Sequence, residues 1–193
     1  NSKIEKEFIP KKGKEELNDF INNKKYKNIV NDIYNNKYHF STPIKHLINK
    51  NYGLKKRIVY TYNDDEVQIL KYISYLLYDY DYLFSKNLYS FRKKTGVKEA
   101  VKSLTYTKNI NNMYGYKLDI KNYFNSINTK ILLNNLKKDI SDTYLYNIFY
   151  DLLTNEYVIY NNEIIKEEKG AIAGCPISAF LANYYLKEMD EFF

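Results

Sequence analysis

Apolar residues recur every three or four positions in several stretches of the chain, a pattern typical of amphipathic helices. One or two such helices are predicted over residues 15–34, and others over 67–84, 97–104, 131–136 and 144–153. Asn63 and Asn128 stand just before two of these stretches, where asparagine can cap the first turn of a helix.

Two further helices are predicted from serine, threonine and proline signals. Ser41-Thr42-Pro43 favours a short helix over the following IKHLINK, ended by Asn51-Tyr52-Gly53. Pro176 begins a last helix, because proline suits a first helical turn. That helix is expected to have one narrow apolar stripe, made of Ala179, Ala182, Leu186, Met189 and Phe193.

Strand patterns occur in three places. Ile58-Val59-Tyr60 is β-branched and aromatic, and residues 156–165 favour a hairpin that turns at Asn161-Asn162. In YGYKLDIKNYFNSIN, residues 114–128, the apolar Tyr116, Leu118 and Ile120 alternate with polar residues. Helices and strands thus alternate irregularly, which predicts an α+β fold with helices packed on a small antiparallel sheet.

The predicted strand at 116–121 carries one carboxylate, Asp119, on the face opposite its apolar residues. A lone carboxylate is costly to bury. Asp119 is therefore expected either to face water or to hold a cation.

Charge and composition narrow the classes of function. The 193 residues carry 30 Lys and Arg against 23 Asp and Glu, a net charge of +7 that suits a polyanionic partner. Many of the 23 Tyr and 10 Phe lie among Lys and Asn, where rings could stack on bases or pack with only the hydroxyl exposed. The single Cys175 excludes an intrachain disulfide, and no apolar run is long enough to span a membrane. A cytoplasmic protein is expected.

Three segments together carry a more specific signal. They are Asp-Ile-x-x-Tyr-Phe-x-Ser-Ile (Asp119 to Ile127), Gly-x-x-x-Gly-x-Pro-Ile-Ser (Gly170 to Ser178) and Leu-Ala-Asn-x-Tyr-Leu (Leu181 to Leu186). Alone, the glycine turn is more typical of an ordinary loop than of a functional site. In this order, preceded by the basic segments at 39–59 and 88–101, the set resembles the palm and fingers of reverse transcriptases.

The resemblance extends from about Tyr38 to Phe193 and is nearest to the bacterial retron, group II intron and abortive-infection branches. It implies a right-hand polymerase, with fingers at 1–113 and a partial palm at 114–193; residues 129–168 could return to the fingers. It also implies an RNA template, a DNA or RNA primer and deoxynucleoside triphosphates as partners.

The resemblance implies a role for individual residues. Asp119 and the backbone carbonyl of Ile120 would bind Mg²⁺, of which two ions are expected, and magnesium prefers such oxygen ligands. Phe124 would lie under the sugar and exclude a 2′-hydroxyl, unless Phe124 belongs to the core and Tyr123 faces the cleft instead. The other residues expected to bind substrate are Lys50, Arg57, Gly174 and Pro176.

Further cations are expected to follow the template backbone. They are Lys55, Lys56, Arg92, Lys93 and Lys94. Each of them, taken singly, could equally be a solvated surface charge.

The chain departs from the family pattern at three points. Ala173 stands where many relatives have a glutamine, and Asp64-Asp65-Glu66 stands where an Asp-Arg pair is common. Phe193 comes before the aromatic-x-Asp-Asp hairpin and the thumb. We therefore expect a fragment of a longer enzyme that is inactive alone, because one carboxylate binds a magnesium pair poorly.

Two alternatives to a templated polymerase remain. The first is a non-catalytic, maturase-like RNA-binding module, and the second is a template-independent polymerase of an abortive-infection system. Ala173 keeps the second alternative open, since it removes an amide that would touch the nascent base pair.

Overall fold

The computed structural model describes residues 11–50 and 55–192. The predicted helix end at 51–53 and the last residue of the predicted stripe, Phe193, lie outside the described residues. Nine helices and four strands are described over these ranges.

Nine α-helices are distributed along the described chain. They are α1 (Lys11–Asn22), α2 (Tyr26–Tyr34), α3 (Asp64–Leu76), α4 (Val97–Thr105), α5 (Tyr123–Ser126), α6 (Thr129–Asp139), α7 (Thr143–Thr154), α8 (Ser178–Tyr185) and α9 (Lys187–Phe192). A 3₁₀ helix, Leu77–Leu83, continues α3, and a shorter one covers Ile110–Asn112. The strands are β1 (Ile44–Lys50), β2 (Lys55–Thr61), β3 (Tyr157–Tyr160) and β4 (Glu163–Lys166).

The four strands form one sheet in the order β2-β1-β3-β4. The pairs β1–β2 and β3–β4 are antiparallel, but β1 and β3 pair in parallel at Ile44 and Ile159. The α+β class is therefore confirmed, while the sheet is mixed rather than antiparallel throughout. The β3–β4 hairpin shares this sheet with the basic β1–β2 pair, and the predicted boundary at 113/114 stays a prediction.

The helix predicted over IKHLINK is wrong, because these residues form β1. All seven pair with β2, from Ile44 opposite Thr61 to Lys50 opposite Lys55. Propensity is a weak guide when a neighbouring segment offers a complete ladder of backbone hydrogen bonds.

Short polar signals at element ends are confirmed. The Asn63 side chain accepts a hydrogen bond from the Glu66 amide at 2.9 Å, and Asn128 accepts from the amides of Lys130 and Ile131. Asn161 and Asn162 both have positive φ, at 51° and 64°. Two such residues between antiparallel strands make a type I′ turn, the predicted hairpin connection.

Helix α8 is buried on nearly every side, so the expected single apolar stripe is wrong. Six of its eight residues are buried, including Asn183 and Ser178. The Phe180 ring stacks on Phe149 at 6.2 Å and meets Phe84 edge-on at 5.5 Å. Because it lies at the centre of the core, α8 can fix whatever precedes it in the chain.

The strand expected at 116–121 is not formed within the described residues. Residues 116–120 belong to no helix or strand, and the segment pairs with none of the four strands. Tyr116 is 91% exposed and Leu118 83% exposed, and the alternating Lys117 and Asp119 are exposed too, so neither face of the segment is covered. Period-two alternation marks residues that can form a strand, but a strand also needs a neighbour to receive its hydrogen bonds.

No helix among the described residues combines the length and the apolar character needed to cross a membrane.

A buried carboxylate, Glu66, joins α3 to the segment that leads into β1. It is only 4% exposed and accepts hydrogen bonds from the Ser41 amide at 2.6 Å and the Ser41 hydroxyl at 2.5 Å. Hydrogen bonds to a charged group stabilise a fold more than neutral ones. Glu66 thus contributes to the position of β1, and through β1 to the position of the whole sheet.

We expect Glu66→Ala to lower the free energy of unfolding by about 2–4 kcal/mol, because two charge-assisted hydrogen bonds are lost. Urea unfolding followed by circular dichroism measures this change. Lys71→Ala, an exposed change on the same helix, is the matched control and should stay within about 0.5 kcal/mol. Equal stabilities of the two variants would contradict the anchoring role of Glu66.

Candidate nucleotide-binding cleft

A cleft of about 480 Å³ lies between the start of β2 and the segment that enters α5. It brings together three groups of residues that are far apart in the sequence. Its lining residues are Lys55, Lys56, Arg57 and Ile58 from β2, residues 119–125, and Ala173.

One wall of the cleft is basic. Lys55, Lys56 and Arg57 are all exposed, and they make no ion pair with any described residue. Lys50 pairs with Lys55 in the β1–β2 ladder, but its side chain lies outside the described residues. Three unpaired cations in one concave surface favour an anionic ligand such as a polyphosphate.

Asp119 is the only acidic residue among the described residues that line the cleft, and it is exposed. Ile120, whose carbonyl is an expected metal ligand, lines the cleft beside it. No cluster of three or more metal-binding side chains occurs in the part of the chain that the structure describes. At the cleft, the described residues therefore offer one carboxylate to a metal ion.

A tight turn after Ile120 sets the position of Phe124. Asn122 has the left-handed conformation, with φ 52°, and starts the short helix α5. Asparagine adopts this conformation more readily than most residues. The Tyr123 hydroxyl donates to the Ala182 carbonyl of α8 at 2.6 Å, whereas the Phe124 ring carries no group that could form such a tether. Both rings are half-buried and line the cleft, with Tyr123 fixed towards the core.

The turn 170–178 connects the two walls of the cleft through backbone hydrogen bonds. The Ala171 amide donates to the Phe124 carbonyl at 2.8 Å, and the Tyr60 amide donates to the Ala173 carbonyl at 2.7 Å. Gly170 has φ +54°, and a Cβ there would lie 2.1 Å from the Phe124 carbonyl oxygen. Only glycine allows this approach, so the turn determines how far Phe124 lies from β2.

A family model described as "Reverse transcriptase (RNA-dependent DNA polymerase)" matches residues 48–193. The match covers more than half of the chain and includes every residue that lines the cleft. This chain belongs to the reverse transcriptase family. A search among curated proteins gave no significant match.

Two residues expected to bind substrate, Gly174 and Pro176, are not among the described residues that line the cleft in this member of the family. Gly174 packs on β2, where a Cβ would lie 3.0 Å from the Tyr60 carbonyl oxygen and 3.1 Å from Cβ of Val59. Pro176 lines a separate cavity with Phe84 and Phe180. The described contacts explain the glycine by packing within the chain, and a contact of either residue with substrate stays a prediction.

The Arg92 side chain is held by contacts within the chain, and a contact with the template backbone stays a prediction. Its guanidinium makes five hydrogen bonds, including a two-pronged pair with the Asp81 carboxylate at 2.8 and 2.9 Å. This pairing raises the pKa of Arg92 and lowers that of Asp81. Lys93 and Lys94, in contrast, are exposed.

Two charged residues next to the turn were not predicted from the sequence. Lys169 is 4% exposed, and its ammonium donates to the carbonyls of Asn155 and Tyr157 at the start of the β3–β4 hairpin. Burial lowers the pKa of Lys169 to about 8. Glu167 accepts hydrogen bonds from Lys45 at 2.5 Å and from the Tyr60 hydroxyl at 2.8 Å. Their only sequence signal is their position just before Gly170.

Proposed function

We propose that this reverse transcriptase binds a deoxynucleoside triphosphate in the cleft and adds it to a primer 3′-hydroxyl opposite an RNA template. One observation carries the proposal. The cleft collects Arg57, Asp119 and Phe124, which are the cation, the carboxylate and the aromatic ring that such a reaction needs. Phosphoryl transfer depends mainly on positioning and on neutralising charge, which these residues can supply.

The basic wall would hold the triphosphate. The Arg57 guanidinium can make forked contacts with two phosphate oxygens, while Lys55 and Lys56 supply point charges. Lys50, opposite Lys55 in the ladder, would add a fourth cation. Because Lys55 and Lys56 share the cleft with Arg57, we assign them to the triphosphate as well as to the template backbone.

Asp119 would be a magnesium ligand, together with the Ile120 carbonyl. Its chemistry fits, because Mg²⁺ in polymerases is commonly held by one or two carboxylates, substrate phosphates and water. When bound, the ion stabilises the negative charge that develops on the transferred phosphoryl group. Asp119 has no hydrogen bond or ion pair with another described residue, so its oxygens remain available.

Phe124 would select the sugar. The Phe124 backbone is held by the glycine turn, and a flat ring under the sugar would leave no room for a 2′-hydroxyl, which favours deoxynucleotides on steric grounds. The tether of the Tyr123 hydroxyl to α8 supports Phe124 rather than Tyr123 in this role.

A second candidate function is nucleotide addition without a template. Ala173 lines the cleft wall, where its methyl group cannot donate a hydrogen bond to a base. Addition of nucleotides to a primer by the full-length protein, in the absence of added template, would favour this candidate. Membership of the retron, group II intron or abortive-infection branch stays a prediction.

We expect Asp119→Ala to reduce primer extension by the natural polypeptide at least about 100-fold, since a metal ligand is worth several kcal/mol in the transition state. Extension of a primer on an RNA template with deoxynucleotides and Mg²⁺ measures the loss. The thermal unfolding midpoint should not change, because Asp119 is exposed.

The matched control for Asp119 is Glu163→Ala, which removes an exposed carboxylate from the β3–β4 hairpin. Glu163→Ala should extend primers at the rate of the unchanged protein. Full primer extension by Asp119→Ala would overturn the assignment. RNA binding without any primer extension by the unchanged protein would instead favour a non-catalytic RNA-binding module.

We expect Phe124→Val to raise the use of ribonucleotides relative to deoxynucleotides by about tenfold or more, because the smaller side chain admits a 2′-hydroxyl. The readout is the ratio of kcat/KM for the two substrates, which a lower fraction of folded protein does not change. Phe124→Tyr keeps the ring and should keep the ratio. If Tyr123→Val shifts the ratio and Phe124→Val does not, the gate is Tyr123.

A further inference from the structure

Phe91 is held in a conformation that its sequence does not favour. Its φ is +54°, a region that bulky residues rarely adopt, and its side chain is nevertheless 67% exposed. Because the ring is exposed, its burial does not account for the strain. A strained residue persists only where its surroundings fix it, and such residues concentrate at functional sites.

The loop around Phe91 is fixed on both sides. On one side, the Asn183 side chain of the buried α8 donates to the Ser90 carbonyl at 2.9 Å. On the other side, Arg92 makes its five hydrogen bonds, to Asp81 and to the carbonyls of Ser85 and Leu88 among others. Phe91 lies between these two anchors, so its ring is presented to solvent by a rigid loop.

The loop is strongly basic. Residues 85–98 contain Lys86, Arg92, Lys93, Lys94 and Lys98 and no acidic residue. Asp81, which approaches the loop from the preceding 3₁₀ helix, is neutralised by Arg92. Lys93 lies over the rings of Tyr75 and Tyr78, with its ammonium 5.7 and 6.0 Å from the ring centroids. A rigid exposed ring beside such cations suits a base next to its phosphates.

Phe91 also lies beside the turn that forms part of the cleft. It lines a cavity of about 240 Å³ together with Pro176, and Ala173 of the same turn lines the cleft. Phe91 and the cleft are therefore linked through this one turn.

We propose that Phe91 is a stacking site for an unpaired base of single-stranded nucleic acid, with Lys93 and Lys94 binding the adjacent phosphates. The inference rests on the proposed function, since it takes nucleic acid as the partner. The proposed stacking site lies outside the cleft, and it would explain why a strained backbone is kept at Phe91.

The test measures binding of a short single-stranded RNA that carries one 2-aminopurine, by fluorescence over a range of salt concentrations. Phe91→Asn removes the ring, and asparagine tolerates the positive φ, so the loop should keep its shape. We expect Phe91→Asn to weaken binding about 5- to 100-fold and to abolish stacking of the 2-aminopurine. The slope of affinity against salt should not change.

Three further variants separate stacking from charge. Phe91→Tyr keeps a ring and should bind like the unchanged protein. The double change Lys93→Gln with Lys94→Gln should reduce the salt slope by about 1.4, the value for two lost phosphate contacts on a single strand. Tyr150→Asn removes an exposed ring that lines a different cavity on α7, and it should leave the affinity within about twofold.

Unchanged RNA affinity and 2-aminopurine fluorescence in Phe91→Asn would overturn the proposal. A loss of self-association in that variant, with RNA binding intact, would also overturn it and would identify a protein contact. The measurement is independent of catalysis. A protein that shows the Phe91 effect but extends no primer refutes the polymerase proposal alone, and active protein with unchanged Phe91→Asn binding refutes the stacking site alone.

Discussion

Two backbone hydrogen bonds of the turn 170–178 hold the walls of the cleft together. One joins the Ala173 carbonyl to the Tyr60 amide of β2, and the other joins the Ala171 amide to the Phe124 carbonyl. The turn leads directly into the buried helix α8, and Lys169 and Glu167 anchor the segment before it. The cleft is therefore tied to the core by hydrogen bonds, although its own residues are mostly exposed.

The distribution of charge follows from this arrangement. Three acids near the core have partners within the chain: Glu66 binds Ser41, Glu167 binds Lys45 and Asp81 binds Arg92. The cations of β2 that line the cleft have no acidic partner among the described residues. Part of the surplus of positive charge thus lies at the cleft, where a polyanion can reach it, and the chain combines a stable fold with a surface suited to nucleotides.

Helix caps and turns, which depend on neighbouring residues, were predicted correctly from the sequence. Pairing between distant segments was not. The caps at Asn63 and Asn128 and the hairpin turn at Asn161-Asn162 depend on neighbouring residues, so a sequence pattern suffices to find them. The helix expected at 44–50 was wrong because β2 pairs with it, and the strand at 116–121 was wrong because no described strand does.

The predictions for the candidate site show the same difference between local patterns and tertiary contacts. The resemblance to reverse transcriptases assigned Arg57, Asp119 and Phe124 to one substrate, and all three line one cleft within the span of the family match. The pairing of Arg92 was not predicted, because its partner Asp81 lies eleven residues earlier with no pattern to connect them. The burial of Lys169 and the strain at Phe91 have no signature in the sequence, since both depend on the packing of distant segments.

The most direct test of the role of the turn is the unfolding free energy of Gly170→Ala compared with Gly115→Ala. A Cβ at Gly170 would meet the Phe124 carbonyl oxygen at 2.1 Å, whereas a Cβ at Gly115 would meet nothing within 4 Å. If the turn assembles the cleft, Gly170→Ala loses about 2–4 kcal/mol and its Tyr60 and Ala171 amides exchange hydrogen faster, while Gly115→Ala stays within about 0.5 kcal/mol. Equal stability and equal amide protection in the two variants would contradict that role.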